Sequence, residues 1–271
     1  MSVDPVLMSG DVALLRRLAE APTAAHPAAV AVDWERPDER STWLDRRPTA
    51  AQVAALAAVR EVSPWPVVCR INEVGPGTEE EVERALDLGA DEVLGPMVRR
   101  EADVDRVLTA ARDRIGVGIM LETPEAVARA SSLARLGICR AFVGLLDLAL
   151  ERATPSVFTA LTDGTVDGLV EALAPTTYGF GGLTDPARGH PLPARLLMGE
   201  IVRGGCAFAM MRNAFVADAA LSSPEVVLAA IRRELDRLAH RSAEEVRADR
   251  EALLARIRVI DAGATAPEVR A

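Results

Sequence analysis

Two acids, Glu122 and Asp147, each come after a short apolar run, Val117–Leu121 and Ala141–Val143, with no basic residue beside them in sequence. Neighbouring strands of a sheet lie about 4.8 Å apart, so carboxylates at adjacent strand ends can share one divalent cation. Oxygen ligands of this kind favour a hard ion, Mg²⁺ or Mn²⁺. Acids in such places also cap the helices that follow, and the sequence leaves both readings open. Zinc calls for clustered His or Cys. The three histidines, His26, His190 and His240, are far apart, and Cys69, Cys139 and Cys206 form no CxxC pair.

Arg70 ends another apolar run, Pro66–Ile71, while Asp33 and Glu35 follow the run Ala28–Asp33. A guanidinium offers a planar fork that matches a carboxylate, which makes Arg70 a candidate clamp for an anionic substrate. The alternative is an internal salt bridge to Asp33 or Glu35. All 31 basic residues are arginine and none is lysine. That removes Schiff-base aldolase chemistry, an internal pyridoxal-phosphate aldimine, and the phosphate-loop and kinase lysines. A lyase made from this chain has a metal as its simplest means of holding an enolate.

The elements that position these residues follow from the pattern of apolar runs. About eight such runs alternate with amphipathic stretches up to residue 215, and the presumed strands are almost wholly apolar, as in a parallel sheet covered by helices. No Gly-rich GxGxxG follows the first run. The count and the length predict an α/β fold, a (β/α)₈ TIM barrel over residues 1–222. In that fold the catalytic groups sit at the C-terminal ends of the strands, where four of five consecutive units place charged side chains. Residues 223–261, rich in Arg, Glu, Ala and Leu, predict an extended C-terminal helical segment; 262–271 is expected to be a flexible tail. Helices are expected at Thr49–Val62, with Thr49 as N-cap, at Thr78–Leu88, ended by Gly89, and at Pro124–Leu136.

Net charge is −9, which argues against an overall nucleic-acid footprint. The start of the chain lacks a basic, then apolar, leader, and no stretch approaches the roughly 18 apolar residues of a membrane span. The cysteines read as reduced, buried thiols. The expectation is a cytoplasmic protein with neither a membrane nor a nucleic-acid partner.

The ordered set VDWE, CRIN, LDLGADEVLGPMV, MLETPEAV and FVGLLDLAL, across residues 28–150, resembles the HpcH/HpaI aldolase and citrate lyase β-subunit family. The resemblance implies a barrel of the pyruvate/phosphoenolpyruvate superfamily. It implies an enzyme that makes or breaks a C–C bond beside a carbonyl, with Mg²⁺ or Mn²⁺ stabilising an enolate. By position Glu122 and Asp147 match the metal ligands, Arg70 the arginine at the oxo-acid end, and Asp33 and Glu35 the acidic motif after the second strand. It also implies homo-oligomers in which a C-terminal helix packs on or swaps with a neighbour.

The chain departs from the family in two places. Where the 4-hydroxy-2-oxoacid aldolases carry a basic His, this chain has Arg36; citrate-lyase-like members also lack that His. Residues 155–215 carry Arg188, His190, Arg195, Arg203 and Arg212, which suit either an acidic-substrate pocket or a salt-bridged subunit interface. His190 becomes a candidate general base, with a metal-bound water or hydroxide, Asp33 or Glu35 as alternatives, or it is an exposed loop residue without a role. Arg70, Pro96, Met97, Arg188 and Arg212 are the candidate contacts to a small acidic substrate. The leading reading is a metal-dependent carbon–carbon lyase or aldolase acting on a 2-oxo acid, or on a related carboxylate or thioester. Alternatives are a catalytically altered member that binds a metabolite or scaffolds a complex, and enolate chemistry ending in hydrolysis or phosphoryl transfer.

Overall fold

This computed structural model describes residues 2–35 and 47–263. Arg36, at the position of the missing His, lies outside the described residues. Eight parallel strands close into a barrel in sequence order, β1 to β8, with β8 paired to β1. The strands are β1 Asp4–Met8, β2 Ala29–Asp33, β3 Val67–Arg70, β4 Glu92–Gly95, β5 Gly116–Leu121, β6 Arg140–Val143, β7 Tyr178–Gly181 and β8 Phe208–Met211. The chain is a (β/α)₈ TIM barrel.

Alternation along each strand sends every second side chain inward. Val6, Ala31, Val68, Leu94, Met120, Phe142, Phe208 and Met210 form the packed barrel interior, while the intervening apolar residues meet the helices. This parity decides where the charged residues point. Asp33, Arg70, Glu122 and Arg212 each lie two positions beyond an inward residue, namely Ala31, Val68, Met120 and Met210. All four therefore face the axis at the C-terminal mouth. At the other end Glu92 and Arg140 obey the same parity. They pair at 2.8 Å, with the Arg140 guanidinium 5.0 Å from the centre of the Phe208 ring.

The helices are α1 Val12–Glu20, α2 Ala50–Val62, α3 Thr78–Asp87, α4 Glu101–Ala111, α5 Pro124–Ala128, α6 Ala130–Leu133, α7 Leu145–Glu151, α8 Thr165–Ala172, α9 Ala194–Arg203, α10 Asn213–Leu221, α11 Pro224–Ala239 and α12 Ala243–Gly263. Thr49 caps α2 in a reciprocal box with Gln52. Gly89, with φ +82°, follows the end of α3 as expected of a helix stop. The helix expected over Pro124–Leu136 is broken at Arg129 into α5 and α6. Ser132 Oγ donates to the Arg129 carbonyl, a local bond that competes with helix continuity. Helix α10 was not anticipated.

The C-terminal segment forms two helices on this chain's own barrel. Leu253 and Ile257 of α12 are buried. Asp249 accepts from Arg195 at 2.9 Å and from Arg241 at 2.6 Å, and Arg250 pairs with Asp167 at 3.0 Å and with Glu200. One cysteine departs from expectation: Cys69 and Cys206 are buried, but Cys139 is exposed at the N-terminal end of the barrel. Among the described residues no single helix is long and apolar enough to cross a membrane.

Candidate active site

Glu122 follows β5 directly and is fully buried. It does not cap the next helix. Thr123 does that, accepting from the Ala126 amide at 3.1 Å while donating to the Val98 carbonyl. Glu122 Oε1 accepts from the Met97 amide at 2.8 Å; its other oxygen, Oε2, is buried with no hydrogen-bond partner among the described residues. Burial, then the nearby Asp147 and Glu35 carboxylates, push the Glu122 carboxyl up to about 8, against the Met97 amide and Arg70, which lower it. A buried, unpartnered carboxyl facing further acids either keeps its proton or takes a cation.

Asp147 does not sit at a strand end, as the spacing suggested. It is the third residue of α7, half-buried, one turn beyond β6. Gly144 occupies the N-cap and makes no side-chain capping bond. Asp147 still lies close enough to Glu122 to raise its pKa. Among the described residues no three His, Cys, Asp or Glu side chains gather into a metal cluster. Two carboxylates fit Mg²⁺ or Mn²⁺ best, because Mg²⁺ is commonly held by one or two carboxylates and keeps waters in its other positions.

Two backbone features create this arrangement, and sequence reasoning missed both. Met97, beyond β4, adopts φ +52°, which is costly for a side-chain-bearing residue. That turn directs its amide to Glu122. Gly144 matters through space: a Cβ there would lie 2.8 Å from Glu122 Cβ and closer still to Oε2. Gly144→Ala is therefore expected to displace the Glu122 side chain. It should lower the melting temperature and weaken Mn²⁺ binding by about tenfold or more, the scale of outer-shell defects at metal sites. Parallel thermal melts and calorimetry check this; wild-type values for both would show that Glu122 has room to spare.

Arg70 is only 3% exposed. The register places it directly opposite Asp33. Its Nε and Nη2 donate to the two Asp33 oxygens at 2.9 and 2.5 Å, and Nη1 lies 2.7 Å from Glu35 Oε2. The fork that the sequence offered to a substrate is thus closed on Asp33, the internal pairing it had left open. Burial works against the Arg70 charge, but these acids outweigh it and hold the guanidinium above its ordinary value. Asn72, the end of CRIN, is buried and held by Glu81 through its amide and side chain at 2.9 and 3.0 Å.

The remaining candidates scatter. Pro96 and Met97 are buried after β4. Arg212, just past β8, lies within electrostatic range of Arg70, Asp33, Asp147 and Glu35. Arg188 is exposed and pairs with Asp185 at 3.4 Å and Asp218 at 3.9 Å. His190 is exposed on the loop between β7 and α9, and among the described residues it makes no hydrogen bond or ion pair with the acidic cluster. Arg195 and Arg203 pair with acids of their own chain, Asp249 and Glu234 for the first, Glu200 and Asp167 for the second.

No family model and no curated protein matches the sequence. Solved structures do match. RipC from Yersinia pestis aligns over 90% of this chain and 98% of its own, with a TM-score of 0.57 and 14% identity. CitE from Mycobacterium tuberculosis in complex with magnesium and pyruvate aligns over 93% and 98%, at TM-score 0.58 and 14% identity. The 3-keto-L-gulonate-6-phosphate decarboxylase from Vibrio cholerae O1 aligns over 88% and 99%, at 0.61 and 15%. At these identities the likeness is one of fold. Fold and site together define a TIM barrel with four acids and two arginines gathered at its C-terminal mouth.

Proposed function

We propose that the chain is a carbon–carbon lyase or aldolase of the HpcH/HpaI aldolase and citrate lyase β-subunit type. It depends on Mg²⁺ or Mn²⁺ and acts on a 2-oxo acid or a related carboxylate or thioester. The observation that carries this reading is Glu122: buried, with one oxygen unpartnered among the described residues, close to the Asp147 charge, and placed at the end of the barrel where such folds do chemistry. The magnesium and pyruvate in the CitE structure support it, as does the absence of lysine.

Glu122 and Asp147 would hold the metal, which supplies Lewis-acid polarisation of a substrate oxygen when bound. The chain's own residues do the rest. The Met97 amide fixes one Glu122 oxygen and leaves the other free to ligate. Arg70 locks Asp33 and Glu35 in place and lends its charge to the mouth. Leu94, Met120 and Phe142 close the barrel beneath and keep water away. For proton transfer the candidates are Asp33, whose side chain is 32% exposed, and His190 on its loop.

The test is a panel of 4-hydroxy-2-oxo acids, oxaloacetate and short-chain 2-oxo acids, followed by NMR for C–C cleavage or exchange. Cleavage is expected with Mn²⁺ or Mg²⁺, lost with a chelator and lost in Asp147→Asn. A chain that binds metal and a panel member but turns over none of them would favour the metabolite-binding or scaffold reading.

A further inference from the structure

We propose that Arg212, not Arg70, receives the substrate carboxylate, in a small cavity beside the acids at the barrel mouth. The substrate role rests on the lyase reading above; the anion site rests on geometry. Arg212 follows β8 on the inward-facing parity and is half-buried. Among the described residues its guanidinium makes no hydrogen bond and no ion pair. The other arginines of its stretch, Arg188, Arg195 and Arg203, all have acidic partners, and the fork of Arg70 is closed on Asp33. Arg212 alone among these five keeps an open fork.

Its surroundings point to a ligand. Arg212 lines a cavity of about 210 Å³ together with Met8, Ser9, Gly10, Asp33 and Asn213, at the C-terminal ends of β1, β2 and β8. Burial and the repulsion of Arg70 press against the Arg212 charge, and the nearby acids offset only part of this. A half-buried guanidinium without a direct ion-pair partner gains from an anion that uses both prongs. The cavity is smaller than the roughly 300–1,000 Å³ that encloses a drug-sized ligand, so it takes a short acid and not a nucleotide. Asp33 in the same wall disfavours a doubly charged phosphate and leaves a singly charged carboxylate as the fitting group.

Asp33 and Glu35 engage Arg70, and Glu122 keeps one buried oxygen without a hydrogen bond among the described residues. The carboxylate of a 2-oxo acid gives the Arg212 guanidinium the direct ion-pair partner it lacks among the described residues.

The experiment titrates pyruvate into the full chain by calorimetry, with and without Mg²⁺, for wild type, Arg212→Gln and Arg212→Lys; thermal melts confirm folding. Arg212→Gln is expected to weaken pyruvate binding about tenfold or more, the scale of a lost charge-assisted pair. Its Mg²⁺ affinity should stay near the wild-type value. Arg212→Lys should fall between, because a point charge replaces the fork. Unchanged pyruvate affinity in Arg212→Gln overturns the proposal. So does an equal loss of Mg²⁺ and pyruvate binding, or a wild type that binds no pyruvate. If wild type binds pyruvate through Arg212 but no Mg²⁺, the anion site stands and the metal-dependent lyase reading fails. If Arg212→Gln unfolds, Arg212→Lys decides by the same comparison.

Discussion

Glu122→Gln should weaken Mg²⁺ or Mn²⁺ binding by about 10- to 100-fold or more, since even outer-shell changes at metal sites cost that much. The substitution keeps the shape and the Met97 bond while removing the charge. The wild-type site should also bind metal in a pH-dependent way. The Glu122 carboxyl, raised to about 8, holds its proton at neutral pH when no cation is present. A metal must displace that proton, so affinity should climb between about pH 6 and 8, with protons released on binding. Stability runs the opposite way. A carboxyl whose folded pKa exceeds its unfolded value of 4.5 contributes stability that is fully present below 4.5 and lost as pH rises through about 8. The metal-free protein should therefore lose stability over that interval, and Glu122→Gln should flatten the slope. Calorimetry in two buffers of different ionisation enthalpy reads the protons; melts across pH read the slope. Metal affinity unchanged in the glutamine variant would end the assignment of Glu122 as a ligand.

How much of this was legible in the sequence varies from residue to residue. The barrel was, because each strand is an apolar run too uniform for a sheet with one wet face, and eight of them alternate with amphipathic helices. The place of Glu122 at the barrel mouth was, because it directly follows an apolar run, although the sequence left it open whether it caps the next helix. The nearness of Asp147 to Glu122 was legible, but its place on α7 was not, since Gly144-Leu145-Leu146 reads equally well as the end of a strand. The Met97 amide was invisible: a backbone group has no sequence signature, and a positive φ at methionine has none either. Arg212 could not be told from Arg188, Arg195 and Arg203, which share its type and neighbourhood. Only the packing of α8 to α12 and the loop before α9 shows which guanidiniums are already paired. The Arg70–Asp33 fork depends on the pairing of β2 with β3, which sets Asp33 directly opposite Arg70. A slip of one residue would have turned one of them outward.

That fork sets the size of the other large effect. Arg70→Met should destabilise the fold by about 3–5 kcal/mol, the usual cost of removing one partner from a buried ion pair. Arg70 and Glu35 are almost wholly buried, with side chains 3% and 2% exposed, so water cannot take over the lost partner. Without the guanidinium, Asp33, Glu35, Glu122 and Asp147 face one another with Arg212 as the nearest remaining cation. At the scale of large single domains this corresponds to a fall in melting temperature of roughly 6–20 °C. Arg70→Lys keeps the charge but cannot span both Asp33 oxygens and Glu35 together, so it should lie between the two. The deficit of Arg70→Met should shrink in acid, where carboxylates lose their charge, and should shrink with added Mg²⁺, which supplies positive charge to the same acids. A melting temperature within a degree or two of wild type at neutral pH would mean that the three-way pairing adds nothing to the fold. Arg70 would then be available to a substrate after all, and the division of labour between the two arginines would have to be reversed.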